Sequence, residues 1–182
     1  MRKSRATLER IFDTIIKYLL KYNIECILFY GTLLGYLRDG NFIEGDDDID
    51  FIMSRSQLPL LLKVVSENPD VLRYGIKNND IVQVYVKYEG PVDFYLYDLI
   101  RTDDEEYILI RWIGNLLFEK KDVFPLKNIE FRGVTVGIPN NAEKITEEVY
   151  GKNWMTPIDK WKYNWDHINT VKKLKSTYTV IS

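Results

Sequence analysis

Cysteine and histidine are nearly missing from this chain: Cys26 and His167 are the single examples of each in 182 residues. One cysteine closes no internal disulfide. Within the apolar run Cys26-Ile27-Leu28-Phe29 it reads as a small buried residue rather than a reactive thiol. His167 lacks the Cys or Asp/Glu neighbours at zinc-ligand spacing, which sets zinc chemistry aside. An excess of one charge is also missing. The 25 Lys+Arg against 27 Asp+Glu leave a net charge of -2, so no general basic field draws nucleic acid in broadly. No apolar run approaches the roughly 20 residues that span a bilayer. The basic start, Met1 to Arg5, is followed by Glu9, Arg10, Asp13 and Lys17 rather than by a signal-peptide core. A cytoplasmic protein is the expectation. Repeats, low-complexity tracts and dividing linkers are absent too, and 46% apolar residues suffice for a single domain over 1–182.

What is present has a clear order. Leu8, Ile11, Phe12, Ile15, Leu19 and Leu20 recur at helical spacing from about residue 5 to Tyr22. Cys26 to Tyr30 reads as a buried strand that ends at Gly31-Thr32 and turns into a short helix through Arg38. Gly40 and Gly45 bracket a loop, and Asp48 to Met53 alternates as a second strand beside the first. A helix follows, capped by Ser54 or Ser56, with Pro59 in its first turn and Leu60, Leu61, Val64 and Val65 facing inward. Val71–Ile76, Ile81–Tyr88 and Val92–Ile100 form an antiparallel meander in this reading. Tyr107–Trp112 and Ile129–Ile138 are strand-like, Ala142–Tyr150 is a helix stopped by Gly151, and the tail from Trp154 is weakly helical. The expected fold is α+β (mixed α/β), a mixed sheet with helices packed on it.

The chemistry concentrates in Asp46-Asp47-Asp48-Ile49-Asp50. Residues two apart on a strand share a face, so Asp48 and Asp50 present paired carboxylates while Ile49 and Phe51 turn to the core. Neighbouring anions repel unless a cation joins them. Hard oxygen ligands favour Mg²⁺ or Mn²⁺. A third carboxylate is expected from an adjacent strand, and Asp93, inside the apolar Val92-Asp93-Phe94-Tyr95-Leu96, is the candidate, with Asp98 as fallback or strand-end surface acid. Asp93 can bind metal or take the proton of an attacking hydroxyl. The competing reading of the acidic run is a solvated loop or a structural calcium turn, though the glycine and distal glutamate of an EF-hand are missing. Gly31 and Thr32, at a strand-to-helix turn, form a candidate phosphate seat, which Arg38 can join through paired guanidinium hydrogen bonds. The plainer alternative for these three is a helix cap and a surface charge.

Together, Tyr30-Gly31-Thr32-Leu33-Leu34-Gly35-Tyr36-Leu37-Arg38, Phe42-Ile43 and the acidic run resemble the signature of the LicD/fukutin family of the nucleotidyltransferase superfamily. Val123-Phe124-Pro125-Leu126, Gly133 to Val136, Ile138-Pro139, Tyr150-Gly151 and Trp154 to Pro157 resemble its later pattern. The chain has Gly45 and Asp39 where the family commonly has an aromatic and a basic residue. It also lacks the N-terminal anchor of the family's Golgi members, so a soluble, minimal version is expected.

The resemblance implies a nucleotidyltransferase-like fold. It further implies a transferase that moves phosphocholine, ribitol phosphate or a similar group from CDP-choline, CDP-ribitol or a like donor to a glycan hydroxyl, releasing CMP. Under it Asp48, Asp50 and Asp93 hold Mg²⁺ or Mn²⁺, and Gly31, Thr32 and Arg38 hold phosphates. Transfer of NMP from an NTP is the alternative, and a binding module that keeps the fold without chemistry is the third reading. Tyr150, Trp154 and Trp161 are at most acceptor-side contacts.

Overall fold

The computed structural model describes residues 2–87, 90–102, 105–112, 115–158 and 178–181. Helix α1 (Arg5–Lys21) starts where the Ser4 hydroxyl accepts the Thr7 N–H. It buries Leu8, Ile11, Phe12, Ile15, Ile16 and Leu19, one face at 3.6 periodicity. Strand β1 (Ile27–Leu28) leads into α2 (Tyr30–Asp39), closed by Gly40 in the left-handed region at φ 66°. Strand β2 (Ile49–Ser54) follows, then a short 3-10 turn (Arg55–Gln57) capped by Ser54, and α3 (Leu58–Glu67). Leu61, Val64 and Val65 of α3 are buried as expected, but Leu60 is 37% exposed because it lies off the stripe that those three define.

Strands β3 (Val71–Lys77), β4 (Ile81–Val86) and β5 (Gly90–Arg101) form the antiparallel meander. Asn78 and Asn79, both at positive φ, make the tight turn between the first two. The long β5 also pairs with β6 (Glu106–Ile110), which pairs with β7 (Leu116–Glu119), a strand the sequence reading does not contain. A short helix α4 (Lys120–Val123) follows. The segment expected as one run over Ile129–Ile138 is a hairpin, β8 (Lys127–Phe131) and β9 (Val134–Ile138), turning at Arg132 (φ 54°) and Gly133 (φ 75°). Helix α5 (Ala142–Tyr150) ends at Gly151. Strand β10 (Thr179–Val180) pairs with β5. In the tail, Trp154 lies in a turn whose N–H donates to the Gly151 carbonyl. Most of the remaining tail, Trp161 and His167 included, lies outside the described residues.

The described strands form one mixed sheet with the path β3-β4-β5-β2-β1-β9-β8, and β6, β7 and β10 attach through β5. β2 runs parallel to β5 and antiparallel to β1. One face carries α1 and α3, with Phe12 in ring contact with Phe42, Phe51 and Phe131. The opposite face packs Phe29, Ile52, Tyr95 and Tyr97 with Phe118, Val123, Ile145 and Val149. β2 therefore feeds both cores, with Ile49, Phe51 and Met53 on one side and Ile52 on the other. Asp50 shares the side of Ile52 by the two-residue period.

Candidate active site

Asp50 and Asp93 are direct partners in the parallel register of β2 and β5. The two carboxylates foreseen on neighbouring strands thus stand side by side, 5% and 7% exposed. Asp50 is fixed by the start of α2. Its backbone N–H donates to Thr32 Oγ1 at 2.9 Å, and its Oδ2 accepts the Gly31 N–H at 3.0 Å. A carboxylate at a helix N-terminus also gains from the helix dipole. The glycine turn is therefore turned toward Asp50: its first N–H holds a carboxylate of the protein itself.

Asp48 lies just before β2 and is half-buried. The tightest acidic group among the described residues is Asp46, Asp47 and Asp48, each offering an oxygen within 4.8 Å of the others. Asp46 and Asp47 are members of the acidic run that the sequence reading leaves without a role. Asp46 is only 9% exposed, and a Cβ on Gly31 would stand 2.7 Å from its Oδ2 and 3.1 Å from Oδ2 of Asp50. Glycine at 31 is what lets both carboxylates approach the start of α2. The acidic loop is tied down by the N-terminal segment: Lys3 N–H donates to the Asp46 carbonyl at 2.9 Å, and Gly45 N–H to the Lys3 carbonyl at 3.1 Å. Arg5 adds its N–H to Glu44 and its Nε to the Phe42 carbonyl.

Asp93 is held from β4. Gln83 Nε2 donates to its two oxygens at 2.8 and 3.2 Å. Tyr30 and Tyr95, in ring contact at 4.6 Å, pack close to the acids. Burial first, then the charge of Asp50, holds the Tyr30 hydroxyl well above the usual tyrosine range. Tyr95 is raised by burial and then by Asp50, Asp93, Tyr30 and Asp48. Both stay protonated at neutral pH. Tyr30 also has φ 40°, uncommon for a bulky residue, and its buried hydroxyl has no hydrogen-bond partner among the described residues.

Two further expected residues sit apart. Arg38 lies roughly two turns, about 10 Å, along α2 from Gly31. Its guanidinium engages Asp39, with Nε 3.1 Å from Oδ1. Asp98 is not the surface acid expected as its alternative role. It is 4% exposed and paired with Arg55 at 2.9 Å and with Arg111, because the strand face it occupies is covered by those two guanidinium groups. Among the described residues no helix is long and apolar enough to cross a membrane.

Clustered carboxylates beside a helix start, on two parallel strands of a mixed sheet, suit a hard divalent cation with oxygen donors. The fold is of the nucleotidyltransferase class. A crystal structure of lincosamide antibiotic adenylyltransferase LnuA, with lincomycin bound, superposes at a TM-score of 0.51 and 12% identity, covering 76% of this chain and 82% of that one. The family model described as LicD/FKTN/FKRP, nucleotidyltransferase domain, matches residues 23–141, and the chain belongs to that family. Comparison with curated proteins gives no sequence match. Family and fold together make the chain a transferase of the nucleotidyl or phospho-alcohol type.

Proposed function

We propose that the protein transfers a phospho-alcohol group, such as phosphocholine or ribitol phosphate, from a CDP-linked donor to a glycan hydroxyl. What carries this reading is the register pairing of Asp50 with Asp93, with Asp48 two residues upstream and the start of α2 against Asp50. Asp48, Asp50 and Asp93 hold Mg²⁺ or Mn²⁺ in this reading, and Asp46, against the same glycine, joins them. When bound, the cation offsets negative charge on the transferring phosphate.

The protein's own part is orientation and proton transfer. Gly31 and Thr32 fix Asp50 through the two hydrogen bonds described, so their role toward the donor phosphates runs through that carboxylate. Asp93 accepts the proton of the acceptor hydroxyl as its oxygen attacks phosphorus. The new O–P bond forms as the bond from phosphorus to the bridging oxygen breaks, and CMP leaves with the electron pair. Such transfer draws mainly on positioning and electrostatics. Arg38 would reach a phosphate only by leaving Asp39.

The test is a thermal-shift panel of CDP-choline, CDP-ribitol, CDP-glycerol and the four NTPs, each with and without Mg²⁺ or Mn²⁺. A ligand selective for the native state raises Tm. We expect metal-dependent stabilisation by one CDP-linked compound. Stabilisation by an NTP alone would replace this reading with nucleotidyl transfer, and no response to any of them would count against an enzyme that uses nucleotides.

A further inference from the structure

Across four neighbouring strands a single row of residues runs Asp50, Asp93, Gln83, Gly75, each opposite the next in register. Gln83 is thus the β4 residue nearest Asp93, and its amide nitrogen reaches both carboxylate oxygens. The other end of the same amide accepts the Tyr85 hydroxyl at 2.7 Å. The Asp93 carboxylate only accepts, so the NH₂ group must face it and the amide oxygen is left to accept the Tyr85 hydroxyl; a flipped amide would set oxygen against carboxylate. Arg73, from the edge strand β3, lies 3.6 Å over the Tyr85 ring and confines it in turn. The chain Arg73, Tyr85, Gln83 ends on the carboxylate given the base role.

The chemistry of the holding group matters. An amide that donates to both oxygens fixes the carboxylate plane without itself bringing a charge. We infer that Gln83 is a positioning residue for Asp93, setting its carboxylate toward the divalent cation, with Tyr85 locking the amide. This rests on the metal-dependent reading above. Partners of this kind, one step removed from the metal, typically alter affinity by about 10- to 100-fold when removed.

The experiment measures Mn²⁺ binding to the full chain by electron paramagnetic resonance of the unbound ion, with Tm recorded for every variant. Gln83→Leu should weaken Mn²⁺ by roughly tenfold or more, and Tyr85→Phe should weaken it less, in the same direction. Asp93→Asn sets the frame: in that background Gln83→Leu should add no further loss, because the group it positions is gone. A general structural defect would instead add its loss in both backgrounds and would overturn the inference. Wild-type Mn²⁺ affinity in both Gln83→Leu and Tyr85→Phe would overturn it while leaving the proposed function standing. A wild-type chain that binds no Mn²⁺ would remove both.

Discussion

Gly31 has no side chain because two acids lie where one would be. A Cβ there would crowd Oδ2 of Asp46 and Oδ2 of Asp50, both at side-chain ends rather than on backbone. Such atoms can swing aside, so the fold tolerates the collision better than the site does. We expect Gly31→Ala to shift Tm by only a few degrees, the effect of roughly 1 kcal/mol in a domain of this size. Its Mn²⁺ affinity should fall by about tenfold or more, since both carboxylates must turn away and the Gly31 N–H loses its alignment on Asp50. Unchanged affinity, measured by the same resonance titration, would mean that neither carboxylate contributes to cation binding. Tyr30, next to this glycine, is held in the left-handed region, and its hydroxyl finds no partner among the described residues. Strain and unmet polar groups of this kind concentrate at functional sites.

At the scale of elements, β5, β6 and α4 are tied by one carboxylate. Glu106 on β6 accepts from Lys120 of α4 at 2.7 Å and from Arg101 of β5. The hydrogen bonds from Lys120 and then Arg101 lower its pKa to about 2, below the ordinary glutamate value. A depressed carboxylate contributes stability that is fully present above its unfolded pKa and is lost as pH falls through the folded one. The Tm difference between wild type and Glu106→Gln should therefore be constant above about pH 4.5 and should shrink steadily toward pH 2; a difference that persists to that point would show the clamp is not ionic. The same elements mark what the sequence makes legible. Asp93 is foreseeable because an acid inside the apolar run Val92 to Leu96 stands out locally, whatever its register against Asp50, and α1 and α5 are foreseeable from spacing and caps. Gln83 is not, since its partner depends on register between strands that no local pattern fixes. Asp46 reaches Gly31 through a loop rather than a period. The β8–β9 turn escapes because Arg132 occupies a left-handed position usually given to Asn or Gly, and its ion pairs to Asp13 and Glu9, 3.0 Å each, help hold it there.

For the whole molecule, the acids lie where the two cores diverge. Phe51 and Phe94, beside Asp50 and Asp93 in sequence, are fully buried against α1, while Tyr95 and Ile52 anchor the same strands on the other face. Rigid strands thus keep Asp50 and Asp93 in register, and neither can retreat from the other without moving a core. Neighbouring carboxylates disfavour each other's ionised form and favour a bound cation. We expect Asp48→Asn to change the metal-free Tm by no more than a few degrees, on the order of 1 kcal/mol. The wild type at Mn²⁺ a hundredfold above its Kd should gain about 2.7 kcal/mol, and the variant should lose most of that gain. Differential scanning calorimetry with and without Mn²⁺ reads both effects. A variant less stable without metal, yet stabilised by Mn²⁺ as much as wild type, would make Asp48 part of the scaffold and shift cation binding to the remaining acids.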